Sequence, residues 1–82
     1  MKILKFFTNT CMPCRMVGKV LEGMNLDVES INATEDIAKV EEYNVCTTPT
    51  LIFLNENNKE VARTTGPVTA SKINEILNTH NI

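Results

Sequence analysis

Residues 8–16, Thr-Asn-Thr-Cys-Met-Pro-Cys-Arg-Met, place two cysteines, Cys11 and Cys14, between an apolar run and an amphipathic one. This arrangement constrains the fold more than any other feature of the chain. The preceding stretch, Lys-Ile-Leu-Lys-Phe-Phe at 2–7, reads as a buried strand. From Cys11 to about Met24, the apolar residues Met16, Val17, Val20, Leu21 and Met24 recur with helical spacing, and Gly23 supplies a stop. Cys11 therefore opens a helix directly after a strand. First-turn N–H groups lack partners inside a helix, and the positive end of its dipole lies there. A thiolate at Cys11 is favoured over its thiol. Cys14 lies one turn further in on the same face, within reach of Cys11. Pro13 is tolerated in the first turn, where its missing N–H would have been unbonded anyway.

The remaining elements follow from pattern. Residues 27–32 are a short strand, and 34–43 a helix with Ile37, Val40 and Tyr43 on its buried face, capped by Asn32 (with Glu35) or by Thr34. Residues 50–55, Thr-Leu-Ile-Phe-Leu-Asn, are the clearest strand. A turn at 56–58 leads to a returning strand at 59–65. Gly66-Pro67 breaks the pattern. Thr69 then caps a last helix that buries Ile73, Ile76 and Leu77. The order β-α-β-α-β-β-α predicts a four-stranded mixed sheet with helices on both faces. Its first two strands are parallel through a right-handed crossover, and its last two form a hairpin.

Length and composition narrow the function classes. The chain has 82 residues, enough for one domain, with a formal net charge of −2. That charge gives no electrostatic reason to expect nucleic acid or an anionic membrane as partner. No apolar run approaches the roughly 18 residues a spanning helix needs. Lys5 interrupts the N-terminal apolar stretch, so it does not read as a signal peptide, and a cytoplasmic location is expected. Three cysteines do not make a disulfide scaffold. In a reducing compartment a Cys-x-x-Cys pair is catalytic or metal-binding more often than structural. Cys46 and His80 would supply further zinc ligands in number, but at unhelpful spacing. Zinc, a cluster bridging two chains and redox exchange remain open on these residues alone.

Thr48-Pro49-Thr50 stands directly before the strongest strand, and a proline at a strand start is a place where a cis bond is plausible. With this second motif the sequence resembles the thioredoxin superfamily over essentially the whole chain: strand, Cys-Met-Pro-Cys, helix, strand, helix, Thr-Pro-Thr, hairpin, Thr-Gly-Pro, helix. The length is similar to that of the smaller, glutaredoxin-sized members. The resemblance implies a single thioredoxin-like domain over 1–82 and thiol–disulfide oxidoreductase activity. It makes Cys11 the nucleophile, Cys14 the resolving thiol and Pro49 a cis-proline facing them. Met12, Pro13, Thr48 and Gly66 would contribute to the substrate groove, with Thr48 offering its backbone to an extended client segment. It implies no bound cofactor or metal, only the redox-active Cys11–Cys14 disulfide. The implied partners are disulfide-containing client proteins and an NADPH-dependent thioredoxin reductase, with glutathione as the alternative reductant. A monomer is expected. A glutaredoxin, or a metal- or cluster-binding module on the same fold, are the alternatives.

Two positions depart from the thioredoxin pattern. Thr10 replaces the tryptophan usual before the first cysteine, and Lys5 replaces the buried aspartate six residues before it. Lys5 shares a strand face with Ile3 and Phe7, where an amine is costly to bury. Either its stem packs and its ammonium reaches water, or the ammonium approaches the cysteines and tunes them. Arg15 reads as a surface charge near the site, Met16 and Met24 as core, Cys46 as a small apolar loop residue and His80 as a helix-end residue.

Overall fold

Alternation in the first apolar segment sends side chains to both faces of one strand, and this decides the layering. In the computed structural model, which describes residues 2–80, that segment is β1 (Lys2–Phe7). Ile3 joins one core cluster and Leu4 and Phe6 another. A strand buried on both faces needs a covering layer on each side of its sheet. β1 pairs in parallel with β2 (Val28–Asn32) and antiparallel with β3 (Thr50–Leu54). β3, buried along its whole length, pairs antiparallel with β4 (Glu60–Thr65), so the strand order is β2-β1-β3-β4.

Helices α1 (Met12–Glu22) and α3 (Ala70–Thr79) cover the Ile3 face through Val17, Leu21, Ile73 and Ile76, which pack with Leu51 and Phe53. Helix α2 (Ile37–Glu42) covers the opposite face, where Val40, Tyr43 and Val45 pack against the cluster of Leu4, Phe6 and Ile52. The architecture is the expected β-α-β-α-β-β-α order with a four-stranded mixed sheet and helices on both faces. The hairpin turn is organised by Asn55, whose Oδ1 accepts from the N–H groups of Asn57 and Lys59 at 2.8 and 3.0 Å. Arg63 ties β4 to the end of α2. Its guanidinium forks onto Glu60 at 2.6 and 2.7 Å and donates to the Tyr43 carbonyl at 2.8 Å.

Three details differ from the sequence reading. Met16 is 66% exposed rather than core. At about 100° per residue it lies more than a quarter-turn from the line through Val17 and Leu21 that faces the sheet. Ile37 is 55% exposed for a related reason. Residues spaced by three drift about 60° per step around a helix, so 37, 40 and 43 do not share one narrow face. The cap of α2 is Asp36, whose Oδ1 accepts from the Lys39 N–H at 3.1 Å. Asn32 instead closes the preceding turn, with its Oδ1 accepting from the N–H and the hydroxyl of Thr34 at 3.0 and 2.6 Å.

Candidate active site

Where β1 ends, the chain turns through Thr8–Thr10 and enters α1 with Cys11 at the N-cap. The cap acceptor is the sulfur itself: the backbone N–H of Cys14 donates to Cys11 Sγ at 3.1 Å. No acidic side chain occupies the first turn. The dipole's positive end and this N–H therefore act on the Cys11 sulfur without a competing carboxylate, and both favour its anionic form. Cys11 and Cys14 are joined by a disulfide, with Cα atoms 5.2 Å apart. Cys14 is 3% exposed, whereas Cys11 is only half-buried. A reagent from solution reaches Cys11 first. Pro13 lies in the first turn, half-buried, and Met12 is 64% exposed beside the pair.

The second motif is built from the start of β3. The Thr48–Pro49 bond is cis, as the thioredoxin resemblance implies, and Pro49 is fully buried. The hydroxyl of buried Thr50 donates to the Thr47 carbonyl at 2.6 Å and pins this loop. From the end of β4, the Gly66 N–H donates to the Pro49 carbonyl at 2.9 Å. Thr48 is half-buried and, with Thr47, borders a shallow cleft that also includes Thr8 from the loop preceding Cys11. The two motifs, far apart in sequence, thus border adjoining loops at one end of the sheet. Gly66 adopts φ +77°, and a Cβ there would meet nothing within 4 Å. Its constraint is conformational, not steric. Gly66→Ala is expected to destabilise the fold by about 1–2 kcal/mol, the cost of a left-handed L-residue, read as a lower urea midpoint at unchanged slope.

Comparison with known proteins decides the family. The Thioredoxin family profile matches residues 1–79. The thioredoxin of Chlamydia caviae is 33% identical, with 96% of this chain and 81% of that protein covered. Among solved structures, a mutant thioredoxin from Halobacterium salinarum superposes with a TM-score of 0.88 at 21% identity, covering 99% of this chain and 74% of the other. Fasciola hepatica thioredoxin superposes with 0.85 at 24% identity, covering 96% and 79%. The two superpositions bear on the fold alone.

The chain belongs to the thioredoxin family. It carries that family's thiol–disulfide oxidoreductase activity, with Cys11-Met12-Pro13-Cys14 as the Cys-x-x-Cys site.

Against the thioredoxin frame, the departures acquire positions. Thr10 is exposed. Lys5 is half-buried on the face of β1 that meets α1, with its Nζ 5.5 Å from the Phe7 ring centroid. It borders a cleft shared with Thr8, Asn9, Cys14 and Arg15. Arg15 is exposed, and its guanidinium donates to the Asn9 carbonyl at 3.5 Å. Cys46 lies in the loop after α2 as an exposed free thiol, with Val45 rather than Cys46 turned inward. His80 is the exposed C-cap residue of α3. Among the described residues, no group of three or more His, Cys, Asp or Glu is arranged to hold a metal ion. No helix among them is long and apolar enough to cross a membrane. Gly18 is a position that spacing and motif do not single out. The available signal was a glycine inside an amphipathic helix, where it costs about 1 kcal/mol relative to alanine.

Proposed function

We propose that residues 1–82 act as a single thioredoxin-type unit that reduces disulfides in client proteins, in the cytoplasm and as a monomer, without a bound cofactor. Cys11 is the nucleophile. Its thiolate attacks one sulfur of the client disulfide, that S–S bond breaks, and the second client sulfur leaves as a thiolate. Cys14 then loses its proton and attacks Cys11 Sγ. The mixed disulfide breaks, the first client sulfur leaves, and Cys11–Cys14 is oxidised. Two electrons pass from the dithiol to the client. The observation that carries this reading is the asymmetry of the pair. Cys11 caps the helix and accepts the Cys14 N–H at 3.1 Å, while Cys14 is 3% exposed.

The surface around the pair supports a protein client. Met12 is exposed beside Cys11, and Pro13 and Thr48 are half-buried at the same end of the fold. Among the described residues, no backbone hydrogen bond within the chain engages Thr48. Its N–H and C=O remain available to an extended client segment added alongside, with Pro49 and Gly66 shaping the floor.

The reductant that restores the dithiol is an NADPH-dependent thioredoxin reductase, as belonging to the thioredoxin family suggests. The test is insulin disulfide reduction with two recycling systems in parallel. One contains NADPH and thioredoxin reductase, the other glutathione, glutathione reductase and NADPH. Turnover with the first and background rates with the second are expected. Turnover sustained by glutathione alone would make the protein a glutaredoxin. A metal or iron–sulfur cluster retained through anaerobic, reducing purification, with no turnover in either system, would make it a binding module.

A further inference from the structure

Lys5 and Gly18 meet where β1 passes beneath α1. Lys5 Nζ lies 3.0 Å from the point that a Cβ on Gly18 would occupy. Any larger residue at 18 would press on the amine, so the glycine leaves the notch that admits it. Positive φ does not require this glycine, because Gly66 alone among the glycines adopts it. A Cβ at 18 would make a tight contact with the lysine amine, which would have to shift by a few tenths of an ångström to admit it.

Lys5 borders two clefts. One is lined by Gly18, Leu21, Glu22, Leu26 and Ser30, the other by Phe7, Thr8, Asn9, Cys14 and Arg15. Among the described residues, no carboxylate stands within ion-pair distance of Lys5. Its charge is therefore not cancelled locally. The other charged groups lining these clefts are both from α1, Arg15 on the Cys14 side and Glu22 on the far side; β2 contributes the uncharged Val28 and Ser30.

We propose that Lys5, seated in the Gly18 notch, is a positioning residue for the Cys14 half of the exchange: its ammonium stabilises the Cys14 thiolate. This rests on the reading of Cys14 as the resolving thiol. A nearby opposite charge favours the ionised form of a thiol. During resolution, Cys14 releases its proton to water, attacks Cys11 Sγ, and the client sulfur departs as a thiolate. During recycling, a reductant dithiol of the kind proposed above attacks Cys11, the Cys11–Cys14 bond breaks, and Cys14 is the leaving thiolate. A stabilised thiolate leaves faster. It also stabilises the reduced protein wherever Cys14 is ionised, making the disulfide more oxidising.

The test compares the parent with Lys5→Met, which keeps the stem and removes the charge, and Lys5→Glu, which reverses it. Thiolate absorbance of the reduced proteins is titrated, and equilibrium with a glutathione redox buffer is measured from pH 6 to 9. A shift of about one pH unit upward in the Cys14 midpoint is expected for Lys5→Met, the lower end of the range for a nearby charge, and a larger one for Lys5→Glu. The redox equilibria of parent and Lys5→Met should coincide at low pH, where Cys14 is protonated in both. Above the parent's Cys14 midpoint they should diverge by up to about tenfold, about 30 mV for a two-electron couple, with Lys5→Met the more reducing. Gly18→Ala, which crowds the amine, should move both readouts the same way. Adding it to Lys5→Met should change nothing further. Unchanged titrations in folded Lys5→Met, or in Gly18→Ala if Lys5→Met does not fold, would overturn the proposal. Neither readout uses a client or a reductase, so failure of insulin reduction and failure of this inference are separable.

Discussion

Cys14→Ser protein mixed with an oxidised client is expected to hold that client in a covalent adduct that survives denaturation and dissolves in excess dithiothreitol. In the proposed mechanism the first half of the exchange needs only Cys11, which is half-buried and accepts the Cys14 N–H at the start of α1. The backbone donor survives the substitution, so the Cys11 thiolate remains stabilised. The second half needs a thiolate at 14, and a serine hydroxyl is far too weak a nucleophile at neutral pH to replace it. Cys11→Ser should give the opposite phenotype, with no adduct and no turnover, because the buried Cys14 is 3% exposed and a client disulfide cannot approach it. Serine is itself a good N-cap, so α1 should persist and the loss be chemical. Non-reducing gels with insulin or a protein-mixture client, together with urea midpoints for both variants, read these outcomes. Adducts on Cys11→Ser with none on Cys14→Ser would reverse the roles assigned to the two cysteines.

Phe53→Ala should remove much of the stability of the fold. Phe53 is 0% exposed in β3 and stands between Ile3 of β1 and Ala62 of β4, beneath α1 and α3. Truncating a buried phenylalanine costs about 3–5 kcal/mol in lost transfer energy and residual cavity. At roughly 0.05–0.15 kcal/mol per residue, a chain of this length has about 4–12 kcal/mol in all. The variant is therefore expected to melt at least about 12 °C below the parent, and to be partly unfolded at 37 °C if the parent lies near the bottom of that range. Met16→Ala is the control. At 66% exposure it should change stability by no more than about 0.5 kcal/mol. Urea and thermal unfolding followed by far-UV circular dichroism measure both. A Phe53→Ala loss below about 1.5 kcal/mol, well short of the usual range, would mean that the two helices close over the gap.

Elements carried by a repeating pattern were legible in the amino-acid sequence. The short apolar run of β1, the unbroken apolar run of β3 and the spacing of Ile73 and Ile76 in α3 each reflect burial that local sequence pattern encodes. The cysteine pair was legible because its chemistry depends on a strand end and a helix start, both set within a few residues of Cys11. Sequence did not settle matters decided by angle around a helix or by approach across a sheet. Met16 and Ile37 fall outside the buried arcs by a fraction of a turn, which spacing by three or four leaves ambiguous. Asn32 and Asp36 both suit a helix cap, and only the turn at Thr34 engages the first and leaves the second for α2. Cys46 points outward because Val45 takes the inward position beside Val40 and Tyr43. Lys5 and Gly18 are 13 residues apart and carry no shared pattern. Their contact exists because the crossover lays α1 across β1, bringing a missing Cβ against a lysine Nζ. Local periodicity determined which segments form and which side they bury. The tertiary packing of α1 on the sheet decided that Lys5 stands against Gly18 and shares a cleft with Cys14, because that neighbourhood is assembled from residues that meet only after the crossover closes.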